Sequence, residues 1–489
     1  MEKTQWRLIY EPPLLNAQKE LEELVLRNLF VYLIALLAAV TPALADQTSL
    51  TEEVRKDVTA PTPVERKIFD IDKAILLGFI NLIRFNIHFH QQANYRWFWR
   101  DWLYPAEREA GGALVFASSV VEIQQRSRGF YNPHLISETA ERKGVNCDIT
   151  GHAINGSASA LELAQNGMVK LIADKRGFSQ KHAISFVKTE IERIDSLLAA
   201  RETLVASDPT SADQKARIWE GRLLKHIRDQ VLFEFTQWSI SSREVAWREG
   251  VFFTIDTLQN YTVMASAIVA LRAITNSRLS GPSAIVSLVG HAMEAVNPPV
   301  RTMAGRLMGK YQSRRLSKVF AQHKPRTMEQ LLSDWKELEP LLSTQAKTGS
   351  LSELAFLVRR SHQFDKPLAE DVEKIERLRR VADQQAISGP MIGVAKSAAS
   401  ICRIVGSYDF SSEEITANRI KLAGNITDAS AQGFALLATP TAFALHFLYT
   451  RQLAKTGRLP SQVLQARLRS LDGLETQIRA AKAPGDLSP

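Results

Sequence analysis

The sequence predicts an all-α protein: a multi-helix bundle with several short apolar helices able to enter a membrane, and little or no β-sheet. Three observations carry this. Apolar residues step by 3 and 4 through long segments, most clearly at Ile184, Val187, Ile191, Ile194 and Leu198, with Lys188, Glu192, Arg193 and Asp195 on the other side. Four apolar stretches, 257–271, 279–293, 384–402 and 429–450, are of helical length, with only Lys396 interrupting the third. Nothing elsewhere in the chain would supply a sheet.

Residues 1–45 read as a leader. Leu29–Val40 is an uncharged apolar run of twelve residues, short of the about 20 that a spanning helix needs. Arg27 precedes it, Thr41-Pro42 breaks it, and Ala43-Leu44-Ala45 offers the small residues of a signal-peptidase site, with cleavage before Asp46. The preceding region is long and carries five glutamates against four bases, whereas signal n-regions are short and positive. The alternatives are a core helix or a retained anchor.

Residues 46–65 form a polar linker with Pro61 and Pro63. An N-terminal helical domain is expected over 66–250. It begins with a helix through Ile75, Ile80, Ile83 and Ile87 and an aromatic cluster, Tyr95, Trp97, Phe98, Trp99, Trp102 and Tyr104. Tyr95, Trp97, Trp99, Trp102 and Tyr104 suit a water–lipid boundary, where a ring is buried and a polar edge stays wet; a protein core is the competing place for them. Residues 148–166 are rich in Gly and Ala (Gly151, Ala153, Gly156, Ala158, Ala160), which lets a neighbouring backbone approach.

An apolar helical hairpin is expected at 251–300, a basic segment at 301–326 and charged helices at 327–383. A second apolar helical region covers 384–455, and a C-terminal amphipathic helix and tail cover 456–489, with Leu464, Leu468, Leu471 and Ile478 on one face. Within the second apolar region, 429–450 is uncharged for 22 residues, the one stretch long enough to span unaided. "SGP" at 280–282 and 388–390 hints at a duplicated unit.

The net charge of +9 is concentrated: Arg301, Arg306, Lys310, Arg314, Arg315, Lys318, Lys324 and Arg326 fall in a window without an acid. Val300, Met303, Leu307 and Tyr311 form an apolar stripe beside the first of these bases. Such a helix suits an anionic bilayer, aliphatics down and bases toward headgroups; a solvated basic face is the alternative.

Motifs for chemistry are absent: no GxGxxG, P-loop, GxSxG, HExxH or EF-hand loop. Cys147 and Cys402 have no zinc-ligand spacing and are expected to be unpaired. His88 and His90 would diverge on a helix and could share a metal only on a strand. No metal or cofactor is therefore expected. An enzyme would need a site assembled by packing, from His152, Glu162, His226 and Glu234.

The leading expectation is a non-enzymatic, exported, membrane-associated envelope protein with a structural or interaction role, periplasmic or membrane-bound. Its expected partners are the membrane or another anionic envelope polymer, and a protein partner through the apolar helices; nucleic acid is not among them. A helical enzyme and a soluble helical scaffold are the alternatives, and an integral membrane protein with a retained N-terminal anchor is the alternative localisation. Orientation creates a conflict: cleavage at Ala45 followed by a spanning hairpin at 257–293 leaves the basic segment outside, whereas basic flanks belong on the cytosolic side.

Overall fold

The computed structural model describes residues 62–93, 100–207, 214–321 and 381–481, together with 330 and 333. The leader, the linker to residue 61, Lys324, Arg326 and nearly all of 327–383 lie outside the described residues, as do Ala43, Ala45 and Asp46. Among the described residues every regular element is a helix: α1 Pro63–Ala93, α2 Arg100–Arg128, α3 Glu138–Lys175, α4 Gln180–Ser207, α5 Gln214–Ala273, α6 Ser280–Val319, α7 Val381–Tyr408, α8 Glu414–Lys455 and α9 Pro460–Ala480.

These helices pack in two ways. α1, α4, the first half of α5, α9 and the end of α6 form a bundle with an ordinary apolar core. Ile75, Ile80, Ile83 and Ile87 of α1 meet Ile184, Val187, Ile191 and Ile194 of α4, Leu223, Ile227 and Val231 of α5, and Leu464, Leu471 and Ile478 of α9. These are the residues whose 3-4 spacing marks one face of each helix, so burial of that face accounts for the bundle. Arg201 is buried within it and bonds Asp72 at 2.6 Å and Glu220 at 3.0 Å. Burial raises the Asp72 carboxyl to about 6, against the pull of Arg201.

The remaining helical length forms a closed ring. In order around it, α2 packs on α3, α3 on the second half of α5, α5 on α6, α6 on α7, α7 on α8, and α8 back on α2. The ring is three antiparallel hairpins, α2–α3, α5–α6 and α7–α8. Two of them turn through short loops at 129–137 and 409–413, and α5–α6 turns at 274–279. All three turns lie at the end of the ring away from the bundle, here the distal end: Ser280 bonds Ser407 at 3.0 Å, and Asn418 bonds the Arg126 carbonyl at 2.9 Å. α5, 60 residues and about 90 Å long, runs through both bundle and ring.

Backbones meet where the sequence is small. A Cβ on Gly151 of α3 would stand 2.6 Å from the Gly111 carbonyl of α2, and one on Gly111 would stand 2.7 Å from the Gly151 carbonyl. The two "SGP" triplets occupy opposite ends of an antiparallel pair: Gly281 abuts Tyr408 at the far end of α7, while Gly393, just after the second triplet, abuts Ala295.

Candidate functional site: the polar interior of the ring

The ring is turned inside out relative to the bundle. Its outward residues are apolar or small: Leu103, Val120, Leu161, Met168, Leu258, Ile268, Ile285, Val289, Val296, Met391, Val394, Ile401, Ile426, Phe434 and Leu437 are all exposed. On α6 no charged residue is exposed from Ser280 to Gly305, and on α8 none from Leu422 to Thr450 among the residues with described side chains. The charged residues of these stretches point inward instead.

Each of the three hairpin interfaces holds one buried or half-buried ion pair. Between the first and second hairpins, Arg108 of α2 bonds Asp256 of α5 at 3.0 Å, and Ser159 of α3 donates to the same carboxylate at 2.5 Å. Between the second and third, Lys396 of α7 lies 3.0 Å from Glu294 of α6. Between the third and first, Arg403 of α7 lies 3.6 Å from Glu122 of α2, while also bonding Asp428 of α8 at 3.0 Å and Asn425 at 2.9 Å. Asp428 in turn accepts from Ser119 of α2 at 3.3 Å.

Two histidines sit among these pairs. His152 of α3 holds Asn260 of α5 through Nδ1 at 3.1 Å and faces Asp148, one turn earlier, through Nε2 at 3.5 Å. His291 of α6 lies 3.0 Å from the Ser400 hydroxyl of α7, which also donates to the Lys396 carbonyl at 3.1 Å. Ser287 completes this cluster at 3.2 Å from Ser400. Apart from Asp148, whose neighbour His152 lies on its own helix, each of these polar side chains has a partner on another helix. No group of three His, Cys, Asp or Glu residues suited to a metal ion occurs among the described residues.

No family model, no curated protein and no solved structure matches the chain.

The residues singled out in the sequence fall as follows. Arg301 does not join the basic surface: it is 1% exposed and its guanidinium lies 5.5 Å over the Phe252 ring. Arg306, Lys310, Arg314 and Lys318 are exposed and Arg315 is half-buried. The stripe Val300, Met303, Leu307 and Tyr311 is exposed beside them, so it is not bundle core. Tyr104 is not at a boundary either: it is fully buried, edge-on to Phe253 at 5.5 Å. Tyr95, Trp97 and Trp99 lie outside the described residues, and Trp102 is described only as helical.

His88 and His90 are on helix α1, His88 exposed and His90 stacked on Trp238 at 4.6 Å. The four dispersed polar residues do not converge. His152 and Glu162 belong to α3 in the ring, whereas His226 and Glu234 belong to the bundle part of α5, where Glu234 pairs with Arg467 at 3.0 Å. Cys147 and Cys402 are both free and half-buried.

Sequence reading passed over Asp148, Asp256, Glu294, Lys396, Arg403 and Asp428 as site residues. A signal was present. Each is an isolated charge inside an otherwise apolar or small-residue helix, where an ionisable group is costly and needs a partner.

Proposed function

We propose that this is an integral membrane protein whose three hairpins span the bilayer, and whose polar ring interior is the route or binding site for a polar solute. The observation that carries the reading is the inversion of the ring, with ionised groups paired inside and uncharged apolar faces outside. In water that arrangement would expose broad apolar surface and bury ion pairs against their hydration. In a bilayer it satisfies both faces. Intramembrane ionisable residues mark substrate or ion pathways.

The stretch Glu414–Ala480 contains the one segment, among the described residues, long and apolar enough to pass as a span on composition alone. The other ring helices fall short because their inward faces carry the polar residues that lower the average. A span that contributes to a polar interior need be apolar on its outer face only.

Orientation follows from charge. Near the distal turns the exposed bases are Arg128, Arg142, Lys143, Arg272, Arg278 and Arg419, whereas the bundle end carries Arg306, Lys310, Arg314 and Lys318 on α6, Arg176 after α3, and Arg451, Lys455 and Arg458 around the end of α8, besides Arg66 and Lys67 of the bundle. The bundle end is therefore assigned to the cytosol. This favours the integral-membrane localisation over export of the bulk of the chain, and it removes the orientation conflict. The exposed bases of α6, beside Val300, Met303, Leu307 and Tyr311, would then lie against anionic headgroups of the inner leaflet.

The test is topological. Single cysteines placed at Asn132 and Ser317, in a background with Cys147 and Cys402 replaced by serine, are reacted in intact cells with a membrane-impermeant maleimide. Asn132→Cys should label from outside, and Ser317→Cys only after lysis. Labelling of both from the same side ends the spanning reading, as does release of the protein by alkaline washing of membranes.

A further inference from the structure

We propose that Asp148 and His152 form a proton-binding site inside the ring, one proton being shared between the Asp148 carboxyl and Nε2 of His152. The inference deepens the membrane reading and rests on it, because it identifies the ion the ring takes up.

Glu122, Asp256, Glu294 and Asp428 each lie beside an Arg or Lys. Asp148 has a histidine in that place, at 3.5 Å. An Arg or Lys brings a permanent charge, and imidazole brings one only with a proton. An ionised Asp148 beside neutral His152 would leave a carboxylate uncompensated within the ring. A proton cancels that charge on either atom, giving a carboxylic acid hydrogen-bonded to Nε2 or an imidazolium–carboxylate pair.

Asn260 donates through Nδ2 to the Asp256 carbonyl at 2.7 Å, which turns its Oδ1 toward His152 Nδ1 at 3.1 Å. An amide oxygen only accepts, so Nδ1 carries the hydrogen and Nε2 presents its lone pair to Asp148. Asn260 thus positions the imidazole as a base toward the acid. The proton's passage is balanced without other bonds changing: hydronium gives it to the carboxylate and leaves as water, and closing the 3.5 Å gap to hydrogen-bond distance lets Nε2 share it.

The side chain of His152 is 5% exposed and that of Asp148 25% exposed, so the acid is the open member and the imidazole the sealed one. Asp148 lies ten residues into α3, about 15 Å from the distal turn. The charges that bear on the pair are Glu122 and Arg108 of α2, His291 of α6, Lys396 and Arg403 of α7, and Asp428 of α8, and α5 adds Asp256, which is paired with Arg108. All of these except His291 lie beside an opposite charge, with Glu122 and Asp428 sharing Arg403, whereas Asp148 has no cation but the imidazole. The proton therefore answers the charge of Asp148.

The experiment counts protons. Full-length protein is reconstituted in phosphatidylcholine vesicles made permeable to protons, and uptake from a weakly buffered medium is measured between about pH 9 and about pH 5. Asp148→Asn and the double variant should each lose about one proton per chain, whereas His152→Gln, which keeps the acid, should take up the same proton over a shifted pH range. Uptake by Asp148→Asn equal to that of the unsubstituted protein overturns the proposal, and so does an unshifted uptake curve for His152→Gln, which would mean that the imidazole takes no part. Should a variant fail to insert, the unsubstituted protein with 15N-labelled histidines still decides: a ring protonated at Nε2 and bare at Nδ1 at His152 refutes the assignment. Insertion is scored separately by alkaline washing. Protein that washes off refutes the membrane reading, whereas inserted protein with unchanged uptake refutes this inference alone.

Discussion

If the ring holds its charges as compensated pairs, removing one member should harm the protein more than removing both. Lys396 and Glu294 give the cleanest case. The ammonium is 5% exposed and lies 3.0 and 3.3 Å from the two carboxylate oxygens, and the pair joins α7 to α6. At 3.0 Å the attraction is worth about 5 kcal/mol for an effective dielectric constant of about 20. Desolvation of both ions offsets most of it, so the pair as a whole contributes little net stability. Lys396→Met breaks this balance by leaving Glu294 uncompensated, and Glu294→Leu leaves Lys396. Each should cost about 3–5 kcal/mol, whereas the double variant should lie within about 1–2 kcal/mol of the parent. The assay is thermal unfolding of the detergent-solubilised protein, followed by tryptophan fluorescence for the parent, both singles and the double. The singles should melt well below the parent and the double should recover most of the loss. A double variant as unstable as the worse single would show that uncompensated charge is not what the singles suffer from.

Three further outcomes are expected. Val289→Arg, on the outward face of α6, should reduce insertion and yield strongly, by about 2.5–3.5 kcal/mol for a base at mid-membrane, against at most about 0.5 kcal/mol on a water-exposed surface; membrane-fraction yield decides between them. Gly151→Val should force α3 from α2 and cost about 1–3 kcal/mol or more, since its Cβ would fall 2.6 Å from a backbone oxygen, whereas Gly167→Ala, with no atom near its Cβ, should be neutral or stabilising by up to about 1 kcal/mol; melting temperatures should separate the two. Burial pushes the His90 imidazole down to about 4, so below about pH 6.5 the unfolded chain binds a proton that the folded chain refuses. Stability should therefore be full above pH 6.5 and fall by up to about 3 kcal/mol as the pH drops to about 4, and His90→Gln should flatten that slope in a pH series of melts.

The sequence by itself determined the helices and the bundle. Ile184 through Leu198, Ile75 through Ile87 and Leu464 through Ile478 each announce their buried face by local spacing, and packing against one another is the only way to remove those faces from water. Small residues at Gly151 announced a close helix contact in the same way, though not its partner, Gly111. It did not determine the candidate site, because pairing is not local. Glu122 meets Arg403, Arg108 meets Asp256, and Glu294 meets Lys396, and no spacing rule relates residues on different hairpins. Hydropathy averaged along a ring helix also mixes an apolar outer face with a polar inner one, so segments such as 148–166 look like neither span nor core. Only the closure of α8 onto α2 decides which face is inside, and with it that the charges are the interior and the apolar residues the surface.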